Sequence, residues 1–146
     1  QTILMIVYPG ITGFNALHAR SHEPVDLVVE VETSQFLWKV MYPTQDVMTF
    51  TELVLPVGQH VRFDITSTDV IHAFWIPAFR GKIDAVPGLV TTVHALPKQT
   101  GSFENDSGLR LQCAELCGVG HAGMQIPVRV VELSEFEAWV AENQSR

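Results

Sequence analysis

The sequence predicts an all-β fold, a sandwich of short antiparallel strands followed by a single C-terminal helix. Three observations lead there. Short β-branched and aromatic runs recur through the middle of the chain, as in Val61-Arg-Phe-Asp-Ile65, with apolar side chains at every second position. Ten glycines and eight prolines punctuate those runs. A clear helical period appears at the C-terminal end. The 146 residues are enough for one domain with a real core, and neither an internal repeat nor a low-complexity segment divides them.

In chain order, residues 1–17 come first, without formal charge and including Ile3-Leu-Met-Ile-Val-Tyr8. A membrane span takes about 20 apolar residues, and Pro9, Gly10, Gly13 and Asn15 dilute this stretch. It lacks the basic start and small-residue cleavage site of a signal peptide. His18, Arg20, His22, Glu23 and Pro24 form a polar exit from it. From Val25 the period becomes that of strands: Asp26–Thr33, Gln35–Tyr42 stopped by Pro43, Glu52–Pro56, and His60–Thr66 with Val61, Phe63 and Ile65 on one face. Leu89–Leu96, Gly101–Phe103, Leu109–Cys113 and Ile126–Val131 continue the pattern. Ser134 followed by Glu137 is a capping-box signal, and Phe136, Trp139 and Val140 then share one helical face. The organisation expected is an apolar segment, either the last turns of a membrane helix or a packed N-terminal segment, with a polar linker, together over 1–23, then a β domain over 24–133 and a helix over 134–146.

The chemistry concentrates in Cys113-Ala-Glu-Leu-Cys117-Gly-Val-Gly-His121-Ala-Gly-Met124, which holds both cysteines of the chain, an imidazole and a thioether. Those are the donors that soft, redox-active copper prefers, and Gly118, Gly120 and Gly123 let a loop curl around an ion. Two thiolates could bridge two ions, each needing its own imidazole. His121 is one. His72, at the end of the apolar run from Val61 and shortly before Pro77, is the candidate for the other. Other readings of the same residues stay open: a disulfide in an oxidising compartment, a zinc site, core packing for Met124, a hydrogen-bonded strand end for His72. His18, His22, His60 and His94 lack a ligand-spaced partner and read as surface or satisfied core residues, His94 facing outward.

Together these residues resemble the CuA domain of cytochrome c oxidase subunit II. That family carries Cys-x-Glu-x-Cys-Gly-x-x-His-x-x-Met, matched by Cys113, Glu115, Cys117, Gly118, His121 and Met124. Its upstream pattern, Asp-x-x-His-x-Phe or Trp-x-x-Pro, is matched by Asp69, His72, Phe74 and Pro77, and Lys82–Gly88 is similar to the family's next stretch. The resemblance implies a Greek-key, cupredoxin-like barrel whose ligand loop joins the last two strands, preceded by the end of a membrane-anchoring helix. It implies two copper ions bridged by the sulfurs of Cys113 and Cys117. His121 and the Glu115 carbonyl would complete one ion, His72 and Met124 the other. The Glu115 carboxylate would reach a magnesium or manganese ion shared with the catalytic subunit.

One position departs from the family. Its Gln-Trp-x-Trp reads here Gln35-Phe-Leu-Trp38, so Phe36 stands where the first Trp receives electrons, while Trp38 keeps the second aromatic. Phe36, Trp38 and Asp69 are the expected docking residues, with Glu104 and Asp106 as further charges, although strand packing alone accounts for both aromatics. The substitution leaves the donor open, cytochrome c or another small protein.

Sixteen acidic against nine basic residues give a net charge of −7, which attracts a basic soluble partner and repels nucleic acid. The function implied is an electron relay to haem in subunit I of a haem-copper terminal oxidase, an oxidoreductase complex. The chain itself would hold no catalytic residue. It would be anchored in a membrane with its globular domain on the extracytoplasmic, periplasmic side. Two alternatives share the motif or the metal: the copper subunit of a nitric oxide reductase, and a copper-delivery protein holding one exchangeable ion. Glu115 argues against nitrous oxide reductase, where Trp stands there, and the two cysteines argue against a quinol oxidase.

Overall fold

The computed structural model describes residues 1–144, apart from the side chains of Leu17, Arg20 and Ser21. A helical arm comes first: α1 (Thr2–Met5), a π-helical segment (Ile6–Ile11) that contains Pro9, and α2 (Thr12–Ser21). The helix thus continues through His18, where a polar linker was expected. Among the described residues no helix is long and apolar enough to cross a membrane. The strands are β1 (Leu27–Ser34), β2 (Leu37–Tyr42), β3 (Val47–Thr49), β4 (Leu53–Pro56), β5 (Val61–Ser67), β6 (His72–Ile76), β7 (Gly81–Ala85), β8 (Thr91–Ala95), β9 (Gly101–Ser102), β10 (Arg110–Cys113) and β11 (Gln125–Val131). Helix α3 (Leu133–Asn143) closes the chain.

These strands make two sheets, β3-β2-β1-β5-β8 and β4-β11-β10-β6-β7, with β9 alongside β11. Alternation decides which side chains meet between them. Val61, Phe63 and Ile65 of β5 are buried while Arg62, Asp64 and Thr66 stay half-exposed, and Val29 and Val31 of β1 fill the same layer. Phe74 of β6 reaches across the core to the other sheet, tilted on Phe63 of β5 with centroids 5.0 Å apart and edge-on to Trp38 of β2 at 6.3 Å. These two packed sheets are the all-β sandwich that the alternation predicted.

Several local expectations are corrected. The sandwich is mixed, because β1 pairs with β5 and β4 with β11 in parallel. The chain leaves the first sheet for β4 and returns as β5, so two strands running the same way become neighbours, a non-local outcome that alternation does not encode. His72 does not end the run from Val61. That run stops at Ser67, Asp69 breaks it, and His72 opens β6 in the other sheet. Helix α3 begins earlier than the capping box placed it. Glu132 is the extended N-cap residue, without a side-chain cap, and Ser134 lies inside the first turn. The predicted apolar face holds: Phe136 and Trp139 are buried, and Trp139 meets the Tyr42 ring at 5.2 Å.

Candidate metal centre

The β1–β2 turn, the segment between β5 and β6, and the loop between β10 and β11 converge at one place. His72 arrives first, fully buried at the start of β6. Its Nε2 lies 2.8 Å from an Asp69 carboxylate oxygen. A carboxylate only accepts, so Nε2 carries the proton and the Nδ1 lone pair is turned inward, 3.8 Å from Cys113 Sγ. Burial works against ionising Asp69, but the hydrogen bonds from His72 and from the Gln35 and Val70 amides outweigh it and hold the carboxyl at about 2.

Cys113 ends β10, where pairing with β6 places it opposite Phe74. Its amide donates to the Met124 carbonyl at 3.0 Å, which closes the base of the ligand loop. Inside the loop the backbone turns sharply at Gly118, whose φ of +135° lies where side chains are strained. A short 3-10 turn, His121–Gly123, then aims His121 and Met124 back at the sulfurs.

The result is a compact donor set. The two sulfurs lie 3.7 Å apart, and both cysteines are free and buried. Cys117 Sγ is 3.7 Å from His121 Nδ1 and 3.9 Å from Met124 Sδ, while Cys113 Sγ is 3.1 Å from the Glu115 carbonyl oxygen. His72, Cys113 and Cys117 alone bring three donor atoms within 4.8 Å of one another. Bonds of about 2.1 and 2.3 Å around a tetrahedral ion would set donors roughly 3.6 to 3.8 Å apart, so these spacings fit shared ions. A disulfide would need about 2.05 Å. Burial, then the neighbouring Cys113 thiol, push the Cys117 thiol up to about 11. A metal must therefore displace a proton to bind it.

The remaining predicted residues surround this set. Phe36 lies directly on the ligand loop: a Cβ on Gly120 would come within 2.4 Å of its ring, and one on Gly118 within 3.0 Å. Trp38 is buried, and its indole N–H donates to the Met124 carbonyl at 3.3 Å. The Glu115 side chain is exposed. Asp106 lies between β9 and β10, where its carboxylate accepts the Gly108 amide and holds its own turn. Leu116 and Val119, at 80% and 103% exposure, and half-exposed Ile71 make an apolar rim beside the donors. His60 and His94 lie outside the centre and pair with each other, Nε2 to Nδ1 at 2.9 Å.

A family model described as the periplasmic domain of cytochrome c oxidase subunit II matches residues 40–131, which contain the whole donor set. The chain belongs to the cytochrome c oxidase subunit II family. This subunit II chain is 36% identical over 143 residues to cytochrome c oxidase subunit 2 of Thermostichus vulcanus, covering 98% of this chain and 41% of the relative. It spans about two fifths of the length of the curated subunit II proteins it matches first. Among solved structures, the periplasmic domain of subunit II (CoxB) of Bradyrhizobium japonicum superposes with a TM-score of 0.76 at 34% identity, over 83% of this chain and 95% of that one. A second subunit II domain, captured as a mixed disulfide with the thioredoxin-like protein TlpA, gives a TM-score of 0.72 at 33% identity over 84% of this chain and 93% of that one.

Proposed function

We propose that this subunit II domain receives single electrons for a haem-copper terminal oxidase, from cytochrome c or another small donor, and passes them to haem in subunit I. The observation that carries the reading is the convergence of two thiols, two imidazoles and a thioether on one buried point. A pair of copper ions held there would supply one-electron transfer with little change in bond lengths.

The chain's own residues do the rest. Cys113 and Cys117 would bridge the ions, His121 and the Glu115 carbonyl would complete one, and His72 and Met124 the other. The exposed Glu115 carboxylate would serve a magnesium or manganese ion at the boundary with subunit I. Asp69 fixes the His72 tautomer so that a lone pair always faces the centre. Phe36 and the apolar rim give a donor a desolvated contact beside the ligands, and the net charge of −7 attracts a basic one to the domain.

Residues 1–23 are read as a membrane-proximal arm and 24–133 as the copper domain, closed by α3 (Leu133–Asn143) in place of the helix expected over 134–146, of which residues 145 and 146 lie outside the described residues. Exposed Ile3, Leu4, Met5, Ile6 and Val7 support a lipid or subunit contact for the arm. The domain would then sit on the extracytoplasmic side of a membrane. In that oxidising compartment the thiols must stay reduced to take metal, and the related domain trapped with a thioredoxin-like protein supports a similar reductant here.

Stopped-flow mixing of the oxidised, copper-loaded protein with a reduced, basic cytochrome c tests the relay. The account predicts bimolecular oxidation of the cytochrome, slowing as salt is added. No electron transfer from cytochrome c or from any small basic donor would contradict it.

A further inference from the structure

We propose that Gln35, in the β1–β2 turn, is a positioning residue that clamps the ligand loop to the His72 side of the centre. The inference rests on reading His72, Cys113, Cys117, His121 and Met124 as copper ligands.

Gln35 makes two hydrogen bonds in opposite directions. Its side-chain Nε2 donates to the Cys117 carbonyl at 2.6 Å, and its backbone amide donates to an Asp69 carboxylate oxygen at 2.7 Å. The other oxygen of Asp69 accepts from His72 Nε2 at 2.8 Å. Three hydrogen bonds therefore run from one ligand's imidazole to another ligand's backbone. They cross three segments that are far apart in sequence, residues 69–72, 35 and 117. Without Gln35 this polar connection between the His72 carboxylate partner and the loop is cut.

The Cys117 carbonyl is a consequential place to hold the loop, because the next residue is Gly118, in the left-handed range at φ +135°. Fixing the 117–118 peptide plane fixes both the unusual turn and the direction of the Cys117 side chain. Phe36 then covers Gly118 and Gly120 from the same turn, so the polar clamp and the aromatic cover arrive as one unit. A loop held this way cannot shift when the charge of the centre changes, which is what fast electron transfer requires of the protein. Gln35 keeps the Gln of the Gln-Trp-x-Trp pattern, but that pattern does not reveal this role, because its partners are a backbone carbonyl and a carboxylate on distant segments.

The test compares wild type with Gln35→Met, which keeps the length and loses the donor, and with Gln35→Glu, which turns a carboxylate toward the carbonyl. Gln35 is exposed in a turn, so both variants should fold. Copper release to a chelator should be about 10- to 100-fold faster in each, the usual cost of losing an outer partner of a ligand. The paramagnetic spectrum of the loaded variants should also lose equivalence between the ions. On the metal-free proteins, amide exchange of His121, whose N–H donates to the Gly118 carbonyl at 3.1 Å, should speed up. Wild-type copper release, spectrum and exchange in both variants would overturn the clamp while leaving the ligand assignment intact. Failure of wild type to hold a copper pair would sink the assignment instead, and the metal-free exchange would then decide the clamp alone.

Discussion

At the scale of single residues, the centre depends on which atoms face inward, and that is set by partners outside the donor set. Met124 and Cys117 separate two kinds of contribution. Met124 is a weak, buried donor 3.9 Å from Cys117 Sγ. Met124→Leu should keep the fold and alter the potential and the equivalence of the two ions, read by redox titration and paramagnetic resonance. On the proposed assignment Cys117→Ser removes a bridging atom and should abolish the mixed-valence signal altogether. Because the Cys117 thiol is held protonated, up to about 11, copper binding must release protons. Affinity measured by competition should therefore rise with pH across the neutral range. Away from the metal, the Tyr42 hydroxyl accepts from the Val54 amide and donates to the Val54 carbonyl, both at 2.9 Å in the core. Tyr42→Phe strands both backbone groups and should cost about 1–3 kcal/mol in chemical denaturation.

At the scale of elements, the sequence made visible the elements that local periodicity specifies. β5, with its strict alternation, and α3, with Phe136 and Trp139 on one face, were both legible. β3 was not, since three residues with one buried valine carry no period. β7 was missed because Gly81-Lys-Ile-Asp-Ala85 is half polar and is held by its pairing with β6. The donor set was legible because its spacing is unusual, whereas the His60–His94 pair was not. His94 lies on β8 and His60 immediately precedes β5, so the two become neighbours only through the β5–β8 ladder.

In the neutral pair, His60 Nδ1–H donates to the Pro24 carbonyl at 2.8 Å, and His60 Nε2 accepts from His94. Burial, then His60 and Arg62, lower the His94 pKa, with Asp64 opposing. The unfolded chain then binds this proton more readily than the folded one. The stabilising contribution is full above about pH 6.5 and is lost as pH falls through the lower folded value. Denaturation midpoints should drop over that window, and His94→Gln should flatten the slope.

At the scale of the whole molecule, two sheets carry three separate segments to one end and hold them there. β1 and β2 deliver the turn, β5 and β6 the His72 segment, and β10 and β11 the ligand loop. Each strand pair is anchored in the same apolar core, so the loops meet on a stiff frame rather than on one another alone. A fold of this kind suits a centre whose ligands must keep their places while one electron comes and goes. The parallel pairings β1–β5 and β4–β11, which local pattern could not reveal, join strands distant in sequence within each sheet of that frame.

The central claim is that Cys113 and Cys117 join two copper ions into one electronic unit. Metal analysis combined with paramagnetic resonance of the copper-loaded protein tests it most directly. The account predicts two coppers per chain, a purple chromophore and hyperfine splitting from two equivalent nuclei. A single labile copper, a zinc ion or a cystine at these positions would contradict it.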